Sequence, residues 1–277
     1  MKKLVFLFFS LIFIMTGCKN KKTTEYTVLG QYTFVQNSGT PEKLVGKVEK
    51  VTQRSYWAIP DGDTFKKGNP ITDKERDSIG FFPNCETTFD KSGDPVSCNW
   101  LYANNKSIRR YEMFKENNIL TLAKLYYNDT LGKYEKIRHN ADGDIIEKTI
   151  FSAGVDTLLY TYTYKFSMNR DTEILQLYDY KGIPSTKRIA AIDKDGKYLC
   201  YTIYYEDGTY MRGQEFKYNE KGNSVEMIYY EDKKENVTEH LYLSPVEYDQ
   251  KGNFIKSIVK NNKGIVSIVE RTYTYFE

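Results

Sequence analysis

The segment Tyr218-Asn219-Glu220-Lys221-Gly222-Asn223 returns as Tyr248-Asp249-Gln250-Lys251-Gly252-Asn253. The first copy lies between two runs, residues 210–217 and 224–230, rich in aromatic and β-branched side chains. Such runs suit a pleated, half-buried surface. Between them Asn219 can hydrogen-bond its own backbone, and Gly222 can take the positive φ that closes a hairpin. The tyrosine opening each copy stands at a strand end, where its ring packs on the sheet and its hydroxyl reaches water. The motif pins register, and its Asn, Asp and Lys residues are turn formers rather than ligands.

From Cys85 onward such signals set a rhythm. They include Asn104-Asn105, Asn117-Asn118, Asn128-Asp129, Asp142-Gly143, Ala153-Gly154, Lys181-Gly182, Asp195-Gly196, Asp207-Gly208 and Lys263-Gly264. Their spacing, mostly about 10 to 15 residues, leaves strands of about six to ten. In residues 157–166, Tyr160, Tyr162, Tyr164 and Phe166 share one face, with Thr161, Thr163 and Lys165 on the other. Consecutive hairpins of this kind make an all-β antiparallel meander. Roughly 14 to 16 strands cannot lie flat; the sheet curls into a barrel, a half-barrel or open barrel, or two packed layers.

Residues 26–277 read as one sheet domain. Within it, residues 26–96 form divergent opening strands, over 26–35 and 44–57, and an irregular surface loop through Pro60-Asp61-Gly62-Asp63 and Gly68-Asn69-Pro70. Thr72 and Glu75 have the spacing of a capping box. Residues 97–277 carry the repeats, and the last strand spans 265–276.

The Tyr-Asn/Asp-x-x-Gly-Asn segments at 218–223 and 248–253 resemble the YD-repeat (RHS-like) motif. Degenerate forms stand at 178–182, 193–196 and 261–264. The resemblance covers roughly residues 97–277 and implies a long curled sheet of hairpins. Together with the N-terminus, the chain is similar to small YD-repeat-like lipoproteins of Gram-negative envelopes, a family that implies no catalytic residues.

Met1-Lys2-Lys3 is a basic start, and residues 4–15 are apolar except for Ser10. That run is too short to span a bilayer and fits the core of a signal peptide over residues 1–17. It ends in Met15-Thr16-Gly17-Cys18, which resembles the bacterial lipobox. The resemblance implies cleavage before Cys18 and acylation of its sulfur and amino group, a palmitate-type anchor. Each buried methylene contributes about 0.8 kcal/mol to such an anchor. Residues 18–25 are then a polar, basic tether. The expected location is the cell envelope, at the outer membrane facing the periplasm, with the cell surface as the alternative.

The whole chain carries 40 Lys and Arg against 37 Asp and Glu. With a signal that holds two lysines and no acid, the mature chain is nearly neutral, which argues against nucleic acid as a partner. Cys85, Cys98 and Cys200 remain after Cys18. Cys85 and Cys98 bracket the turn Gly93-Asp94-Pro95 and are candidates for a disulfide, worth roughly 2–3 kcal/mol. Cys200 sits in a strand as a small buried side chain.

Chemistry is sparse. His139 and His240 belong to no metal pair or nucleophile motif, and neither Asp142-Gly143-Asp144 nor Asp193–Gly196 completes a calcium loop. No cofactor is expected. The doublets Tyr126-Tyr127, Tyr204-Tyr205 and Tyr229-Tyr230 each place one ring on either sheet face. Tyr127, Tyr205 and Tyr230 are the candidate binding aromatics, able to stack a sugar or meet a protein. The expectation is a lipid-anchored envelope protein of binding or scaffold type, without enzymatic activity, its partner a glycan or an envelope protein. The alternatives are a glycan-active enzyme with carboxylates not identifiable in sequence, and an immunity-type partner of a toxin.

Overall fold

The computed structural model describes residues 26–29, 42–72, 74–75, 84–194 and 196–277. The signal segment, Cys18 and the tether lie outside the described residues. Two short strands, β1 (Tyr26–Leu29) and β2 (Glu42–Val45), pair with each other. The next strands are β3 (Val48–Asp61), β4 (Thr64–Pro70), β5 (Asn84–Phe89), β6 (Pro95–Leu101), β7 (Ser107–Glu116), β8 (Ile119–Tyr127) and β9 (Thr130–His139). They continue as β10 (Ile145–Ser152), β11 (Thr157–Phe166), β12 (Thr172–Asp179), β13 (Pro184–Ile192) and β14 (Tyr198–Tyr205). The last are β15 (Tyr210–Tyr218), β16 (Ser224–Glu231), β17 (Val237–Tyr248), β18 (Phe254–Asn261) and β19 (Val266–Tyr275).

Strands β3 to β19 form one closed antiparallel barrel in chain order. The expected meander is present, and of the expected ways to curl it adopts closure. β19 returns to β3, pairing from Ser267–Trp57 to Tyr275–Val48. β5 and β4 share the other edge of β3, so seventeen strands fill sixteen positions. Two sequence expectations are corrected. The strand expected over 44–57 breaks at Gly46, where φ is +88. The loop expected through Pro60-Asp61-Gly62-Asp63 and Gly68-Asn69-Pro70 is the hairpin of β3 and β4, because Gly62 (φ +62) turns the chain tightly enough for Asp61 to face Thr64 and β4 runs on to Pro70. The Thr72–Glu75 capping box forms, with the Thr72 N–H 2.8 Å from Glu75 Oε2.

Among the described residues, seven turns opened by an Asp or Asn share one bonding scheme: those at Asp90, Asn140, Asp179, Asp193, Asn219, Asp249 and Asn261. In each, the opening N–H donates to the carbonyl four residues on, and the glycine three residues on donates back. The opening Oδ1 also accepts the N–H four residues on, at 3.0 Å for Asn219–Asn223 and 2.9 Å for Asp249–Asn253. Glycine is required there because φ is +81 at Gly222 and +96 at Gly252. The tyrosine hydroxyl expected to reach water is instead engaged: Tyr218 donates to the Tyr198 carbonyl at 2.7 Å.

Alternate turns fall at opposite ends of the barrel. We call the end holding the turns at 90–94, 140–144, 193–197, 219–223 and 249–253 the proximal rim, and the other end the distal rim. Around the proximal rim, lysines lie over the tyrosines of the next hairpin: Lys197 over Tyr218 (4.9 Å), Lys221 over Tyr248 (3.5 Å) and Lys251 over Tyr275 (4.0 Å). Each cation–π contact at such sites contributes about 0.5–1 kcal/mol.

The seam between β19 and β3 copies this arrangement without a turn to join them. Gly46 takes the place of a turn glycine, and Lys251 lies against it. Asn253 replaces a peptide group: its Oδ1 accepts the Val45 N–H at 2.7 Å and its Nδ2 donates to the Val45 carbonyl at 2.8 Å. The same Nδ2 donates to the Tyr275 hydroxyl, which also bonds Asp249.

Facing residues of paired strands share a face, so register alone separates the two walls. One wall is mostly buried; its largest cluster includes Ala190, Tyr198, Phe216, Met227, Leu241, Val259 and Val269. Ile71, past the end of β4, packs into the same cluster, its N–H on the Ser55 carbonyl. This is the inner wall. The outer wall carries ion pairs around the circumference: Lys50–Glu86, Arg138–Glu147, Lys217–Glu226, Lys256–Glu247 and Lys67–Glu270. A lipid-facing barrel has an apolar band there, where a basic side chain at the midplane costs about 2–4 kcal/mol. These walls suit water outside and a packed interior.

Candidate functional site

The tyrosine doublets divide as alternation requires, and the register says which ring goes where. Tyr127 faces Arg109, which faces Trp100, which faces Cys85 on the inner wall. Tyr205 faces Thr186, then Leu177, then Tyr162 and Lys148. Both rings stand on the inner wall at the distal rim, 42% and 49% exposed. Tyr230 lies instead on the outer wall between Gly213 and Val237, half-exposed. There its phenol bonds Glu215, and burial with that carboxylate holds its pKa up. The structure therefore brings Tyr127 and Tyr205 to one opening and leaves Tyr230 out of it.

Down the inner wall, exposure falls. Tyr205, Arg212 and Glu231 near the distal rim are exposed; Tyr160, Tyr162, Tyr201 and Ile203 below them are half-buried; Lys148, Tyr164, Glu173, Ala190 and Tyr198 nearer the proximal rim are buried. Among these residues exposure is highest at the distal rim and lowest in the layer of Glu173, Ala190 and Tyr198, while Phe166 at the proximal end of β11 is exposed again.

The buried layer holds a polar cluster. Glu173 is 1% exposed; its Oε1 accepts Arg188 Nη2 at 2.5 Å and its Oε2 accepts the Tyr198 hydroxyl at 3.0 Å. Arg188 is 24% exposed and lies 5.3 Å and 5.7 Å from the ring centres of Tyr198 and Tyr201. Burial pulls Lys148 down to about 8, against the opposing field of Glu135. Burial raises Tyr162 to about 12. Tyr201 donates to Gln214 Oε1 at 2.7 Å, and Lys133 Nζ lies 3.3 Å from the Tyr160 hydroxyl. Tyrosine rings, two Arg/Lys–Glu sets and half-exposed hydroxyls can bind and orient a polar ligand.

Sequence reading missed Glu135, Lys148, Glu173 and Arg188. A signal existed: Glu173 is in phase with Leu175 and Leu177, two half-buried inner-wall leucines, so the alternation of β12 points it inward.

The remaining candidates lie elsewhere. Cys85 and Cys98 are free thiols, not a disulfide. Cys98 faces Thr87 and Cys85 faces Trp100, so the two sit diagonally rather than opposite. Diagonal neighbours are about 7–8 Å apart, beyond ordinary disulfide reach. Burial pushes Cys98 up to about 11 and Cys85 well above its usual value. Cys200 is half-buried on the outer wall, beside Glu215 and Lys217 in a shallow groove. There Glu226 is held by Lys217 and by His240 Nε2, both at 2.7 Å. His139 binds the carbonyls of Leu120 and Gly143. Among the described residues no cluster of His, Cys, Asp and Glu could hold a metal.

The chain matches no family model and no curated protein. Among solved structures it is similar to a porin-like protein from Bacteroides vulgatus, at 10% identity and a TM-score of 0.34, covering 83% of this chain and 99% of that one. A porin-like protein from Bacteroides uniformis matches at 10% identity and 0.31, covering 82% and 96%. The Tc holotoxin pore of Photorhabdus luminescens matches at 13% identity and 0.19, over 83% of this chain and only 15% of that one. Likeness this low transfers neither a site nor an activity to this chain.

Proposed function

We propose that this is a lipid-anchored protein of the cell envelope that binds a ligand in the distal recess of its barrel and catalyses no reaction. One observation carries the reading: the inner wall is lined with tyrosines whose exposure rises toward one rim, while the outer wall is covered by ion pairs. A recess of aromatic rings with a few fixed polar groups is the usual build of a ligand site. Glu173 has both oxygens engaged, which suits a positioning role better than proton transfer.

Two experiments test it. In cells, Tyr205→benzoylphenylalanine should photo-crosslink a ligand, and the same replacement at Tyr230 should not; the reverse pattern overturns the recess. With Cys18→Ala, palmitate labelling should disappear and the protein should leave the membrane fraction; an unchanged fractionation overturns the anchor.

A further inference from the structure

Resting on the lipid anchor proposed above, we infer that the barrel stands with its proximal rim toward the membrane that holds it, so that the distal opening faces away and takes its ligand from the aqueous side rather than from the lipids of that leaflet.

The chain enters the barrel at the proximal rim. Tyr26 faces Val45 in the β1–β2 pair. Val45 is bound through its N–H and its carbonyl to Asn253, in the proximal turn 249–253. Leu44 beside it is 1% exposed and packs with Val48, Val51, Cys85 and Phe89 against Tyr273 and Tyr275. Backbone and side-chain contacts together fix the point of entry to the seam.

The tether is short beside the wall. Tyr26 is eight residues after Cys18. At up to about 3.6 Å each, eight steps reach at most about 28 Å whatever path they take. β3 starts next to this entry at Val48 and runs 14 residues to Asp61, at the distal turn. At about 3.3 Å per residue and the usual strand tilt of about 35–45°, it lifts the distal rim roughly 30–35 Å above the proximal one. With the distal opening against the bilayer, Cys18 could not reach that bilayer even with the tether drawn straight. With the proximal rim toward it, no stretching is needed. Lys19, Lys21 and Lys22 favour the same stance, because basic residues beside an anchor are drawn to anionic headgroups. Laying the barrel on its side would instead press its ring of outer-wall ion pairs against the headgroups. Taking such pairs out of water is unfavourable.

The stance decides the kind of ligand. A lipid of the anchoring leaflet would have to cross the height of the barrel through water with its acyl chains exposed, which the hydrophobic effect opposes. A soluble molecule, or a polymer strand in front of the barrel, meets the opening directly.

The test uses the full lipidated protein, floated with vesicles of phosphatidylethanolamine and phosphatidylglycerol that carry a trace of rhodamine headgroup acceptor. A coumarin amino acid replaces Gln250 in the proximal turn or Asp63 in the distal turn beside the seam, both exposed. Across the height of the wall, energy transfer to the vesicle should be roughly fivefold faster or more from position 250 than from position 63. A Gly-Ser insert of about 40 residues after Lys22 should erase the difference, since the tether then outreaches the wall. Benzoylphenylalanine at position 205 should give no adduct with vesicle lipid. Equal or reversed transfer in floated protein overturns the stance alone, and a difference that survives the insert overturns the tether as its cause. A lipid adduct at position 205 overturns the aqueous ligand. Protein that fails to float overturns the anchor and the stance with it.

Discussion

Replacing Glu173 with alanine measures whether the proximal half of the barrel is packed. Glu173 is 1% exposed and anchors Arg188 and Tyr198 through separate oxygens. Removing one partner of a buried ion pair costs about 3–5 kcal/mol, chiefly because the other charge is stranded. Arg188 keeps a quarter of its side chain exposed, so water recovers part of that loss and the low end, about 3 kcal/mol, applies. With a urea m-value of about 3 kcal/mol/M, the midpoint falls by about 1 M. Glu247→Ala, which breaks the exposed Lys256–Glu247 pair, should cost no more than about 1 kcal/mol. The double variant Glu173→Leu with Arg188→Met should recover most of the loss. A Glu173→Ala shift as small as that of Glu247→Ala would mean that water floods the cluster. The exposure gradient on which the recess rests would then be wrong.

Three further outcomes are expected. Asn253→Ala removes both bonds to Val45 and one to Tyr275, so it should cost about 2–3 kcal/mol in thermal melts and speed amide exchange at Val45 and Phe276; unchanged exchange there would dismiss the seam amide. Lys148 has a folded-state pKa of about 8, below its unfolded 10.5. The unfolded chain therefore binds its proton more tightly, and this group's contribution raises stability as pH climbs from about 8 to 10.5. Lys148→Met should be more stable than the parent at pH 7 by about 1–3 kcal/mol, with the gap closing toward pH 10; a pH-independent gap would refute the shift. Cys85, Cys98 and Cys200 should all react with a thiol reagent after unreduced denaturation, and Cys85 and Cys98 should resist it in the folded protein. Only one reactive thiol would restore the disulfide.

What the sequence displays is local. Asn219 to Gly222 announces its turn because the side-chain bond and the positive φ lie within five residues. The strand rhythm follows from such turns, and so does the need to curl. Closure does not, because pairing of β19 with β3 joins opposite ends of the chain with no turn between them. The doublets could be split between two faces but not assigned to inside or outside. That choice is fixed by partners several strands away, which put Tyr229 inside and Tyr230 outside. The cysteines failed for a related reason. Bracketing a turn does not make two residues face: the turn opposes Asp90 to Asp94, a register shift between Thr88 and Phe89 follows, and Cys85 ends facing Trp100. The Glu173–Arg188 contact spans a hairpin on a diagonal, since Glu173 itself faces Ala190.

The seam also sets the order of folding. Every other pairing in the barrel joins strands close in the chain, but the second edge of β3 must wait for the last strand. Until then two strand edges are open, and such edges recruit other chains. Joining them across so long a segment costs on the order of 5 kcal/mol in loop-closure entropy before any contact is gained. The Val45–Asn253 bonds and the Lys251–Tyr275 contact gather at that junction and act only once the ends meet. Folding should therefore be slow and completed at its final step, and a chain cut short before β19 should aggregate rather than settle as a smaller barrel.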